Sequence, residues 1–196
     1  MRIAMPAAVL AGGASRRMGS SKAALPYGSG TLAGHQTGRL AELFSPVWLV
    51  VRDPPPYSFA PALMLFDGEG ERSALSGLQR ALEEAEDRVF VLAVDLPLLP
   101  LALARALAEC SLKSEAPAVL PEVAGKLEPL AGVWRRAALP AALRRALKGD
   151  RSLRGLAEEV GAEAFPEAAW RACDPSGNAF TNLNTVQDWA IARERA

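Results

Sequence analysis

The sequence predicts an α/β domain built on a mostly parallel sheet, and three observations carry that reading. Val47-Trp48-Leu49-Val50-Val51 is a continuous apolar run of β-type residues, as expected of a strand covered on both faces. Arg88-Val89-Phe90-Val91-Leu92-Ala93-Val94 is a second such run and leads straight into Asp95-Leu96-Pro97. Between and after these runs lie helical patterns, such as Leu75, Leu78 and Leu82 on one face. Strand and helix therefore alternate, which is the pattern of parallel βαβ units.

Taken in order, the first strand is Ala7 to Leu10, which stops at Gly12-Gly13. Thr31 is an N-cap for a helix through about Phe44, and Pro46 ends it. Strands follow at 47–51 and 63–66, the latter ending on Asp67. After the helix of Leu75, Leu78 and Leu82 and the strand into Asp95, a helix over 101–112 precedes a strand over 116–121 and a turn over 123–128. Leu130-Ala131-Gly132-Val133-Trp134 is expected to run antiparallel, because so short a connection cannot make a crossover. Pro140 suits the first turn of a helix ending near Lys148-Gly149, and Ser152 caps a helix that stops at Gly161.

With 196 residues, half of them apolar, the chain can bury one substantial core, and we expect a single domain over 1–196. Net charge is zero, without a polybasic tail, which excludes the electrostatics of a nucleic-acid binder. No apolar run approaches the roughly 18 residues of a membrane span. The start of the chain lacks the pattern of a secretory signal, so a cytoplasmic protein is expected. Cys110 and Cys173 are read as a core thiol and a loop thiol rather than a disulfide, and His35 as half-buried or at the surface.

The stretch Leu10-Ala11-Gly12-Gly13-Ala14-Ser15-Arg16-Arg17-Met18-Gly19-Ser20-Ser21-Lys22 carries the chemistry. Adjacent glycines allow the backbone to approach an anion and turn N–H groups toward it, while Arg16, Arg17 and Lys22 add full positive charge. A Walker loop needs Gly-Lys-Ser/Thr and a dinucleotide loop needs G-x-G-x-x-G; neither fits here. Only four of the 22 basic residues are lysines, so Lys22 at this point is the more telling. Asp95, at the carboxyl end of a buried strand, stands where parallel sheets bind ligands, although an aspartate there could instead cap its own turn. Seven basic residues lie between Arg135 and Arg154. They read either as a solvated helix face or, at Lys148 and Arg151, as contacts for an anionic second substrate. Asn182 and Asn184 fall at strand spacing on one face, and local backbone bonding at a turn would explain them as well.

Leu10-Ala11-Gly12-Gly13 through Lys22, Asp95-x-Pro97, Glu128-Pro129-Leu130, Arg151-Ser152-Leu153 and Asn182-x-Asn184-Thr185 together resemble the molybdenum cofactor guanylyltransferases, the MobA family, in order and along the whole chain. The resemblance implies a three-layer, Rossmann-like nucleotidyltransferase fold, with an N-terminal half for the nucleotide and a C-terminal half for a pterin. It implies transfer of GMP from GTP to the terminal phosphate of molybdopterin or Mo-molybdopterin, with Mg²⁺ as cofactor and with cofactor-insertion enzymes or chaperones as further partners. Leu10, Ala11, Gly12, Gly13, Lys22, Asp67 and Asp95 would meet GTP; Lys22, Arg17 and Asp95 would be catalytic, with Asp95 on the metal. Lys148, Arg151, Asn182 and Asn184 would face the pterin. A cytidylyltransferase for the same pterin and a non-catalytic nucleotide-sensing module are the alternatives. Two departures stand out: Ser21 precedes Lys22 where the family usually has Asp, and no base contact carries over to Val51-Arg52-Asp53, where relatives often have Asn.

Overall fold

The first strand, β1 (Ala7–Leu10), is buried at all four positions, as a run without polar side chains should be when helices cover both faces. The computed structural model of the chain describes residues 2–12, 22–53, 62–68 and 73–183. A small hairpin, β2 (Pro26–Tyr27) and β3 (Gly30–Thr31), turns through Gly28 and leads into α1 (Leu32–Ala41). The Thr31 hydroxyl accepts the Gly34 N–H at 3.1 Å, satisfying one orphan donor of the first turn. Next come β4 (Val47–Val51), β5 (Leu63–Phe66) and α2 (Ala74–Glu84), whose start is fixed by a reciprocal cap between Ser73 and Ser76.

The second half continues with β6 (Arg88–Ala93), α3 (Leu101–Ser111), β7 (Ala118–Val123), β8 (Lys126–Leu127), β9 (Ala131–Arg135), α4 (Leu139–Leu147) and α5 (Leu153–Glu159). It closes with β10 (Glu163–Phe165) and α6 (Glu167–Cys173). The strands lie in the order β5-β4-β1-β6-β9-β7-β10, with β8 paired to β7. All pairings within this sheet are parallel except those made by β9 and β8. The expected antiparallel strand is therefore present, between β6 and β7.

Alternation along the strands divides the core into two layers. Ala7, Val9 and Leu49 face one cluster with Leu32 and Leu40 of α1, Leu103 and Leu107 of α3, and Trp170 of α6. Ala8, Leu10 and Trp48 face the other with Leu75, Leu78 and Leu82 of α2, Ala142 of α4 and Leu156 of α5. The periodic leucines of α2 are all buried, and truncating one such residue to Ala costs about 2–5 kcal/mol.

The chain runs from β1 to β4 and β5 toward one edge, then returns to place β6 on the other side of β1. Strand order reverses there, and open α/β sheets bind ligands in the crevice beyond the carboxyl ends of such strands.

Several boundaries differ from expectation. The first helix stops at Ala41, not near Phe44, and the strand expected over 116–121 spans Ala118–Val123. The turn expected over 123–128 is a tight hairpin, because Ala124 and Gly125 both take positive φ (49° and 74°) and allow Lys126–Leu127 to pair back on β7. The pattern reading passed over β10 and α6. One is three residues long and the other buries only Trp170, so neither offers a full period. Residues 181–183 are not a strand, Leu183 N–H bonding to the Asp95 carbonyl at 3.0 Å; the strand spacing expected of Asn182 and Asn184 ends on Asn184, outside the described residues. Cys110 and Cys173 are both free thiols, and Cys173 ends α6 rather than lying in a loop. His35 is half-buried, 4.6 Å from the Tyr27 ring between centroids.

Candidate active site

Parallel pairing sets Leu10 beside both Val50 and Ala93, so the residues that follow these strands leave the sheet together. Ala11 and Gly12 follow β1, Arg52 follows β4, Asp67 follows β5, and Val94-Asp95 follow β6. Backbone bonds keep the rim in register: Ala11 N–H to the Val50 carbonyl (2.8 Å), Val94 N–H to the Leu10 carbonyl (3.1 Å) and Asp67 N–H to the Val51 carbonyl (3.0 Å).

Lys22, at the start of a short 3₁₀ turn, donates from Nζ to Asp95 Oδ2 at 2.9 Å. Both side chains are about four-fifths buried, so water screens this pair only in part. The turn after β6 is closed by Leu96 N–H to the Ala93 carbonyl, while the Asp95 carboxylate reaches across to the lysine. Asp95 thus has a partner from the loop after β1, which the turn-capping alternative does not explain.

One cleft is lined by Leu10, Ala11, Gly12, Lys22, Asp67 and Asp95, with Ser73, Gly77 and Leu130 completing its walls. The structure brings six of the seven residues expected at GTP into this space. The seventh, Gly13, and likewise Arg17 and Asn184, lie outside the described residues. Gly12 is required by crowding: a Cβ there would come within 2.9 Å of Asp67 Oδ2.

Around this cleft the structure adds residues that the sequence reading left without a role. Arg52 Nε stands 3.0 Å from Asp67 Oδ1, and Ser76 Oγ donates to Asp67 Oδ2 at 3.3 Å. The signal that singled out Asp95, a charged residue just past a buried apolar strand, is present at Arg52 too. Glu128 accepts the Leu130 N–H at 3.2 Å beside the cleft wall. Burial pushes its carboxyl above the usual value; the Leu130 N–H and Arg154 oppose this and the Asp95 charge adds to it.

The basic junction has a different character. Arg135 meets Asp87 and Glu115, Arg136 donates to the carbonyls of Glu83 and Ala85, and Arg144 and Arg145 share Glu159, with Asp150 also on Arg145. Arg154 donates to the Leu127 carbonyl at 3.1 Å. These five tie elements together. Lys148 and Arg151 lie exposed between α4 and α5 and do not line the cleft. Asn182 is exposed, one residue before the Leu183 that bonds to Asp95, so it comes to the same rim.

Among the described residues no group of three or more His, Cys, Asp or Glu could cage a metal. Nor is any of their helices long and apolar enough to cross a membrane.

A mostly parallel α/β sheet whose switch-point rim gathers a glycine approach, a lysine and carboxylates defines a nucleotidyltransferase, an enzyme class. The family model for the MobA-like NTP transferase domain matches residues 7–164, and the chain belongs to that family. It is 30% identical over 184 residues to a molybdenum cofactor guanylyltransferase of Syntrophotalea carbinolica, covering 93% of this chain and 88% of that one. With a probable molybdenum cofactor guanylyltransferase of Carboxydothermus hydrogenoformans the identity is 35% over 134 residues, covering 68% of this chain and just 66% of the relative's length. The crystal structure of molybdopterin-guanine dinucleotide biosynthesis protein A from Archaeoglobus fulgidus shares the fold, with a TM-score of 0.85 at 24% identity, covering 97% of this chain and 98% of that one.

Proposed function

We propose that this protein transfers GMP from GTP to the terminal phosphate of molybdopterin or Mo-molybdopterin and releases pyrophosphate. The observation that carries the proposal is the 2.9 Å pairing of Lys22 with Asp95 in one cleft with Gly12 and Asp67. A cation and a carboxylate at one mouth match a metal-triphosphate, and the names of the S. carbinolica and C. hydrogenoformans relatives supply guanylyl transfer as the reaction.

Mg²⁺ fits the donors available. It takes one or two carboxylates and leaves its other positions to water and phosphate, and Asp95 is a hard oxygen donor at the cleft mouth. The want of a protein cage among the described residues agrees with a cation that arrives with its nucleotide. When bound, its chemistry is neutralisation of charge on the phosphates, with Asp95 as its holder.

In the reaction an oxygen of the pterin phosphate forms a bond to the α-phosphorus of GTP while the bond from that phosphorus to the bridging oxygen breaks, and the electron pair leaves with pyrophosphate. Phosphate is already nucleophilic, so no side chain must remove a proton. Lys22 offsets the charge that builds on the leaving group, the backbone at Ala11 and Gly12 allows close approach of the nucleotide, and Asp67 meets the nucleotide in the same cleft. Arg17 adds charge at the phosphates, and Gly13 belongs to the GTP-binding set. Lys148, Arg151, Asn182 and Asn184 hold the pterin, and the finished cofactor passes to an insertion enzyme or chaperone in the cytoplasm.

The test is pyrophosphate release from GTP and from CTP in the presence of molybdopterin and Mg²⁺. Release dependent on molybdopterin and stronger with GTP is expected; a preference for CTP overturns the proposal.

A further inference from the structure

Besides Lys22 and Asp95, the cleft is lined by Asp67, which belongs to a second charged pair with Arg52. Arg52 and Asp67 leave neighbouring parallel strands at matched positions, since Val51 pairs with Phe66. Their side chains are 11% and 0% exposed, and the 3.0 Å approach of Arg52 Nε to Asp67 Oδ1 lacks the alignment of a hydrogen bond. Asp67 Oδ1 therefore has no hydrogen-bond partner among the described residues, and neither have Arg52 Nε and Nη2. Arg52 Nη1 donates to the Gly68 carbonyl, which anchors the guanidinium. Asp67 Oδ2 accepts from Ser76 Oγ, and it lies where a Cβ on Gly12 would clash with it.

Burying such a pair costs desolvation that apolar residues of similar size would not incur. The sheet does not need it, because β4 and β5 are joined by their own parallel ladder. Asp67 also lines the cleft, and its buried Oδ1, held beside Arg52, makes no aligned hydrogen bond within the described residues.

We infer that Arg52 is the positioning residue for base selection: it holds Asp67 as a fixed, acceptor-only carboxylate for a base that presents two adjacent N–H donors. Guanine has that edge, at N1 and its 2-amino group; hypoxanthine lacks the second donor, and the corresponding edges of adenine and cytosine present an acceptor beside a donor. This deepens the guanylyl reading and rests on it. Arg52 touches no substrate in this account. It acts through Asp67.

The test is calorimetric titration of the full chain with GTP, ITP, ATP and CTP in the presence of Mg²⁺, with no pterin added. Wild type is expected to bind GTP about tenfold or more tightly than ITP, the usual effect of one hydrogen bond to a charged group. In Arg52→Met GTP binding weakens about tenfold and GTP and ITP come within about twofold of each other, while ATP binding is unchanged. Asp67→Asn gives the same collapse, and Arg52→Lys, which keeps the charge, retains part of the ratio. If Arg52→Met does not fold, Arg52→Gln carries the same reading. A wild-type GTP to ITP ratio that survives loss of Arg52 overturns this inference alone. Wild-type binding of CTP as tight as that of GTP overturns the guanylyl reading, and this inference with it.

Discussion

Two regions look alike in the sequence and differ in the fold: the rim around Lys22 and Asp95, and the arginine-rich segment from Arg135 to Arg154. At the rim, charges meet across long separations, Lys22 and Asp95 standing 73 positions apart in the chain. They sit in a cleft with apolar walls, where few groups compete for them. In the arginine-rich segment, Arg144 and Arg145 find Glu159 and Asp150 within a few turns of chain, Arg144 in solvent and Arg145 with its side chain mostly covered. Density of charge therefore does not distinguish a site from a scaffold. What distinguishes them is whether the partners converge on a space that a ligand can enter.

The largest expected effect is that of Asp95→Ala. The variant should fold, because the backbone bonds at Asp95 remain, yet turnover should fall about 10³-fold with loss of the residue proposed to hold the metal. Undiminished pyrophosphate release would remove Asp95 from the chemistry. Lys22→Ala should slow turnover about 10–100-fold, since one charged donor to the phosphates is lost. An unchanged rate would make the rim no different from the arginine segment. From the other side of the comparison, Arg145→Ala should lower the melting temperature by a few degrees, because it removes a mostly covered guanidinium shared by Glu159 and Asp150, and leave GTP turnover within about twofold. A large loss of activity with unchanged melting would show that Arg145 belongs to the site along with Lys148 and Arg151.

Most of this contrast was legible only in part. The strands ending in Leu10, Val51, Phe66 and Ala93 are continuous apolar runs, so the sheet and the polar residues just beyond its carboxyl rim could be read directly. The junction of Lys22 with Asp95 could be expected because ligand sites of parallel sheets gather at that edge. Arg52 was passed over for a physical reason: an arginine after a strand normally reaches into water, and its burial becomes visible only when Val51 is set beside Phe66 and Asp67 is found next to it. The arginines after Arg135 misled in the opposite direction, because Glu159 and Asp87 come close only through the packing of α5 on α4 and the pairing of β6 with β9. Lone short elements such as β10 carry too few residues for any period to show.

The smallest effect tests whether the rim's influence extends to Glu128. Burial raises this carboxyl above its ordinary value, and the charge of Asp95 raises it further. Between the ordinary value and the raised one, the folded chain keeps a proton that the unfolded chain has released. The protonated group therefore contributes its full stability below the ordinary carboxylate range, and that contribution is lost as pH rises through the raised value. Glu128→Gln is neutral throughout and can still accept the Leu130 N–H. Its melting temperature relative to wild type should therefore shift upward as pH rises above the ordinary carboxylate range. Parallel melting profiles would show that Glu128 feels neither burial nor Asp95. Because Asp95 is the lesser of the two causes that raise this carboxyl, the Asp95→Ala background should shrink the upward shift without abolishing it. A shift that vanished altogether there would mean that Asp95, and not burial, governs Glu128.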